Sequence, residues 1–271
     1  MINSNLVQTA NIGGMITDYL SFGNGDKQMV VIPGLSIKKV TQSGAALKNT
    51  FKKFTNDFTV TILDVKDNPD EGYKIHDLAE DTLKVLDFLE INEAYFFGNS
   101  LGGMVLQDIL VNHPERVIKG VLSSTVAYVK DGEGVVQNWV DLADAGKGKE
   151  LAAAMLDTIF SETFLNRFRE LLLTMYREIS PEELRKVSIL ANACRGFDLR
   201  DKLALLSDTK KASVMVIGTT GDKVFPVNRI VELADLLSCE QYIYGPEYGH
   251  SVCDEDLKFY DRVYDYFIHR A

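Results

Sequence analysis

Gly98-Asn99-Ser100-Leu101-Gly102-Gly103 is the stretch on which the reading of this chain turns. It contains G-x-S-x-G, a pattern that chance alone supplies roughly 0.08 times in a chain of this length. Its surroundings carry more weight. Residues 94–97 form an apolar run directly before it, and residues 101–111 follow with a helical pattern. The serine therefore sits at a sharp strand-to-helix turn. Such a turn strains its central residue by of order 1–3 kcal/mol. Gly98 and Gly102 remove the Cβ atoms that would collide across it. The hydroxyl is lifted clear of the C-terminal edge of a sheet, where ligands bind in parallel α/β folds. The next helix aims its unpaired N–H groups at the same space. The plainer alternative is a glycine-rich turn with an incidental serine.

Similar apolar runs lie to either side. Residues 6–11 and 15–21 flank Gly13-Gly14 and read as a hairpin. Further runs occupy residues 29–32, 59–63, 117–123, 214–217 and 241–244. They are continuous rather than alternating, the pattern of strands covered on both faces. Helical patterns separate them at 76–89, 228–237 and 257–268. That alternation predicts a mostly parallel sheet with crossover helices. Residues 127–207 break the rhythm. They show no convincing strand, but helical patterns at 135–143, 149–161 and 162–179, then a capping box with proline at Ser180-Pro181-Glu182-Glu183. The expected organisation is a core of residues 1–126 and 208–271 carrying a helical cap, or lid, of residues 127–207.

Composition narrows the partners. The 271 residues include 29 Lys plus Arg against 39 Asp plus Glu, a formal charge of −10. An acidic chain is a poor partner for nucleic acid or an anionic membrane. Cys194, Cys239 and Cys253 are widely spaced and form no C-x-x-C, so free thiols in a reducing compartment are expected. Residues 1–5 have neither a basic nor an apolar leader pattern, and no apolar run approaches the roughly 18 residues of a membrane span. A cytoplasmic location is expected. No two histidines have ligand spacing and no H-E-x-x-H occurs, so no metal is expected. Without G-x-G-x-x-G or a P-loop, no nucleotide cofactor is implied.

A serine hydroxyl needs a general base. Of four histidines, His76 starts a helix, His113 follows one, and His269 stands near the C-terminus. Those positions suit caps or solvated faces. His250, in Tyr248-Gly249-His250-Ser251, follows the last strand, so its loop reaches the edge where Ser100 stands. An acid must orient that imidazole. Asp222 directly follows the strand at 214–217; its alternative role is a turn former after Gly221. Asp64 also ends a strand but precedes the serine, and Asp254 lies close to His250 in the chain.

The order Ser100, Asp222, His250 resembles the α/β-hydrolase fold superfamily over essentially the whole chain. Asn112-His113-Pro114-Glu115-Arg116-Val117 resembles the stretch after the family's nucleophile helix. Gly221-Asp222-Lys223-Val224-Phe225-Pro226 resembles its acid loop, and Gly249-His250-Ser251 its histidine loop. The resemblance implies an eight-stranded, mostly parallel sheet flanked by helices, with a helical lid. It also implies an oxyanion hole made by two backbone N–H groups, of Leu101 and of Leu35 in Pro33-Gly34-Leu35-Ser36. Similar hydrolases often carry His where Pro33 stands. The implied activity is that of a cofactor-independent serine esterase acting on a small carboxylic ester. The elbow is also similar to that of C–C bond hydrolases, but those carry tryptophan after the histidine, where this chain has Ser251. A lyase on the same triad and a ligand-binding receptor are the other readings. Phe160, Phe164 and Phe168 are spaced for one helical face, with Trp139, Met155, Met175 and Tyr176 nearby in sequence. They are expected to pack the lid, and in part to line a pocket for an apolar acyl or alkyl group. Arg195 is the segment's candidate for a substrate carboxylate, against an ordinary salt-bridged role.

Overall fold

The computed structural model describes residues 6–130, 132 and 134–270; residues 1–5, where no leader pattern is read, lie outside this range. One sheet holds β1 (Val7–Ile12), β2 (Met15–Phe22), β3 (Lys27–Ile32), β4 (Phe58–Leu63), β5 (Ala94–Asn99), β6 (Val117–Ser123), β7 (Val214–Thr219) and β8 (Glu240–Tyr244). Their order is β1-β2-β4-β3-β5-β6-β7-β8. The β1–β2 and β2–β4 pairs are antiparallel; every other pair is parallel. Gly13 and Gly14 make the β1–β2 turn at φ 58° and 95°, the left-handed backbone a two-residue hairpin needs.

Around the sheet lie α1 (Gly44–Thr50), α2 (Ile75–Phe88), α3 (Leu101–Asn112), α10 (Val227–Leu237), α11 (Val252–Glu255) and α12 (Phe259–His269). Between β6 and β7 come α4 (Gly134–Asp144), α5 (Gly148–Ile159), α6 (Glu162–Met175), α7 (Pro181–Cys194), α8 (Arg200–Ala204) and α9 (Asp208–Ala212).

The continuous apolar runs are explained by two cores. In β3, Val30 and Ile32 join one hydrophobic cluster while Met29 and Val31 join another; in β7, Val214 and Val216 divide from Met215 and Ile217 in the same way. Side chains alternate across a strand, so burial on both sides requires every position to be apolar. The first cluster takes in α2, α3 and α10, the second α12 with Phe51, Phe54 and Phe58. β8 departs from this expectation. Gln241 and Tyr242 are exposed, because β8 is an edge strand with only β7 beside it.

The segment between β6 and β7 is helical, as its pattern predicts, and it joins the first core. Val136, Trp139 and Val140 of α4 and Val187 and Leu190 of α7 belong to the same cluster as Leu106 and Ile109 of α3. A short antiparallel bridge closes its base: Val129 N–H donates to Phe197 O (2.7 Å) and Leu199 N–H to Ala127 O (2.9 Å). One paired residue on each side, Tyr128 opposite Asp198, is too few for a strand pattern to show in sequence. α6 ends at Met175 instead of residue 179, with Tyr176 as its C-cap. The capping box of α7 forms as expected, Ser180 Oγ accepting from Glu183 N–H (3.2 Å) and Glu183 Oε2 from Ser180 N–H (2.8 Å).

Candidate functional site

β5 delivers Ser100 into a tight turn at φ 53°, ψ −116°. Ser100 N–H donates to Ser123 O on β6 (2.8 Å), and Ser100 O accepts from Gly103 N–H (2.9 Å). The turn survives because its glycines leave room. A Cβ on Gly98 would stand 2.5 Å from Gly102 O, and one on Gly102 only 1.9 Å from Ile32 O. The loop after β3 presses in as well, with a Cβ on Gly34 falling 3.2 Å from that of Ser100.

Asp222 and His250 reach the same edge from the ends of β7 and β8. His250 Nε2 lies 2.9 Å from Ser100 Oγ, and its Nδ1 lies 2.7 Å from Asp222 Oδ2. Both side chains are almost wholly buried, at 4% and 0% exposure. The other carboxylate oxygen of Asp222 accepts from Val224 and Phe225 N–H, both at 2.8 Å. Phe225 packs edge-on against the His250 ring, centroids 5.5 Å apart. Thr219 Oγ1 ties the two loops, lying 2.8 and 2.9 Å from the carbonyl oxygens of Gly245 and Tyr248. Nothing in the sequence marks Thr219, since its role exists only where the loops meet.

The other candidates go elsewhere. His76 is exposed and pairs with Asp108 on α3 (3.0 Å). His113 caps the C-terminus of α3 and meets Glu80 (2.8 Å), and His269 is exposed. Asp64 accepts from the N–H groups of Val40 (2.8 Å) and Thr41 (3.2 Å) and from Thr41 Oγ1 (2.5 Å), fixing the loop after β3. Burial pushes its carboxyl up. Arg195 caps α7 and donates to Asn192 (2.9 Å). It lines neither cavity beside the Pro33–Ser36 turn. Cys194, Cys239 and Cys253 form no disulfide, and burial pushes the thiols of Cys194 and Cys239 up to about 12 and that of Cys253 well up. No cluster of three or more His, Cys, Asp or Glu that could hold a metal exists among the described residues.

Ser100 and His250 open onto a cavity of about 230 Å³. Leu35 lines it from the β3 loop; Leu101, as the first residue of α3, has an N–H that the helix leaves unpaired. The opposite wall is Trp139, Met155, Leu156, Ile159, Phe160 and Tyr176. Phe160 stacks on Phe164 (centroids 4.9 Å apart) and Phe168 packs against Phe164 at a tilt (4.8 Å), but only Phe160 reaches the cavity. The helical face expected across them is broken, because Phe160 is the extended C-cap of α5 and α6 starts afresh after Ser161. Asp254 lines this cavity too, a position that its nearness to His250 in the chain had concealed.

A sequence profile of the alpha/beta hydrolase fold matches residues 43–257. The chain belongs to the alpha/beta hydrolase fold family. It is similar to a putative carbamate hydrolase RutD of Rhizobium rhizogenes, 25% identical over 210 residues that cover 76% of this chain and 78% of the relative. Among solved structures it superposes on MGS-M2, an alpha/beta hydrolase enzyme from a deep-sea metagenome of the Medee basin, with TM-score 0.83 at 17% identity, covering 97% and 98% of the two chains. The enol-lactonase of Burkholderia xenovorans gives TM-score 0.80 at 22% identity over 96% and 99%. At those identities the two structures speak for the fold. No helix among the described residues is long and apolar enough to cross a membrane.

Proposed function

We propose that this chain is a serine hydrolase of small carboxylic esters or related acyl compounds, with Ser100, His250 and Asp222 as its catalytic triad. The observation that carries the reading is the relay of 2.9 Å from Ser100 Oγ to His250 Nε2 and 2.7 Å from Nδ1 to Asp222. His250 takes the Ser100 proton as Oγ attacks the carbonyl carbon, and Asp222 balances the imidazolium. The tetrahedral oxyanion is held by the N–H groups of Leu35 and Leu101. Its collapse expels the alcohol, protonated by His250, and leaves an acyl-Ser100 ester. Water, deprotonated by His250, then releases the acid and restores the hydroxyl. The helices of residues 127–207 act as the cap that holds the apolar part of the substrate over this centre. Relatives named for carbamate and enol-lactone hydrolysis support hydrolysis of an acyl compound.

The deciding experiment is turnover of p-nitrophenyl butyrate by the wild type and Ser100→Ala. A fall on the order of 10⁶ in kcat is expected for the variant. Undiminished turnover by a folded Ser100→Ala protein would overturn the reading.

A further inference from the structure

The Ser100 cavity is walled mostly by apolar and aromatic residues, with Ser36, Asn99, Ser251 and His250 beside Ser100, and Asp254 is the one carboxylate among the residues that line it. Asp254 presents surface on the wall of this cavity, and the protein packed around it desolvates its carboxyl. Its Oδ2 accepts from Ser251 Oγ at 2.5 Å. Among the described residues no lysine, arginine or histidine pairs with it, and no Lys or Arg lines the cavity. Its neighbour Glu255 adds further negative charge. Burial pushes the Asp254 carboxyl up, the direction taken by an acid without a cation beside it. A desolvated carboxylate without a cation beside it is costly unless a ligand supplies the counter-charge. The rings of Trp139, Phe160, Tyr176 and Tyr260 share the cavity, and aromatic faces attract ammonium groups.

We infer that Asp254, with these rings, selects acyl substrates that carry a cationic amino group. This rests on the hydrolase reading above and names the substrate class for that site. Asp254 is a specificity residue: it binds a part of the substrate remote from the carbonyl, so its effect falls on KM more than on kcat.

The test is a panel of matched esters, each with an ammonium-bearing member and its uncharged carbon isostere, the charge on the acyl side in half the pairs and on the alcohol side in the rest. Wild type is expected to favour the ammonium member in at least one half by about tenfold in kcat/KM. Asp254→Asn should bring that ratio close to one, and Asp254→Glu should restore part of it. Calorimetric titration of Ser100→Ala with n-butylammonium should show binding that Ser100→Ala with Asp254→Asn loses. A wild-type ratio near one in both halves, a ratio unchanged in Asp254→Asn, or butylammonium binding indifferent to Asp254 overturns the inference. The wild-type ratio and the Ser100→Ala titration need no change at Asp254, so they hold even where Asp254→Asn fails to fold. Turnover of neutral esters by wild type and not by Ser100→Ala keeps the hydrolase reading standing when the amine preference fails. If no ester is turned over, the hydrolase reading falls and the titration still decides the cation site.

Discussion

Ser100 sits on a strained stretch of backbone. Its φ of 53° and ψ of −116° lie where side chains are disfavoured and glycine is at ease. Replacing the hydroxyl alone leaves that strain, whereas removing the Cβ relieves it. Ser100→Gly is therefore expected to be more stable than Ser100→Ala by about 1 kcal/mol, measured by urea unfolding. Equal stability would show that the turn is unstrained. His76 offers a second test at this scale. The hydrogen bond to Asp108 raises its pKa above the ordinary 6.5. A histidine raised on folding contributes stability that is fully present below about 6.5 and lost as pH rises through the folded value. NMR titration should put the His76 midpoint above 6.5, and Asp108→Asn should return it to the ordinary range.

At the scale of elements, α7 is specified by its own sequence. Ser180 and Glu183 satisfy each other's backbone N–H groups, and Pro181 supplies a first residue with no N–H to satisfy. Ser180→Ala should cost about 1 kcal/mol in thermal unfolding, because one orphan N–H loses its acceptor. An unchanged midpoint would mean that packing on α4 alone fixes the helix. α1, α8, α9 and α11 show the opposite case. They have between 4 and 7 residues, too short for a 3.6-residue period to repeat, and the pattern of their sequence does not announce them. α6 was legible as a helix but not in its end. No glycine or proline stops it, and the chain turns at Tyr176, whose ring goes to the cavity wall.

In the whole molecule, two of the contacts that fasten the helices between β6 and β7 to the site stand out. Lys38, on the loop after β3, donates to Glu178 O (2.6 Å) and to Glu183 (2.8 Å) at the start of α7. Glu255 joins the α5–α6 junction to the histidine loop, accepting from Ser161 N–H (2.8 Å), Ser161 Oγ (2.5 Å) and Gly249 N–H (3.2 Å). Gly249 is pressed so closely there that a Cβ would stand 2.5 Å from Ser161 N. Glu255→Ala leaves these donors without their acceptor. Faster amide exchange at Ser161 and Gly249 and a kcat/KM lower by about tenfold are expected. Unaltered exchange would show that the junction is held without it.

By itself the sequence determined the strands, the longer helices beside and between them, and Ser100, Asp222 and His250 as candidates. The elements are announced by apolar runs and helical spacing, Ser100 by the glycines that bracket it, and Asp222 and His250 by their places after strands and their order in the chain. Only the tertiary structure decided what meets across the cavity. Thr219 joining two loops, Glu255 joining a loop to a helix junction, and Asp254 lining the cavity at Ser100 are contacts between distant or oppositely directed segments. Periodicity records which face of an element is buried, but it carries no information on which side chain of another element stands opposite.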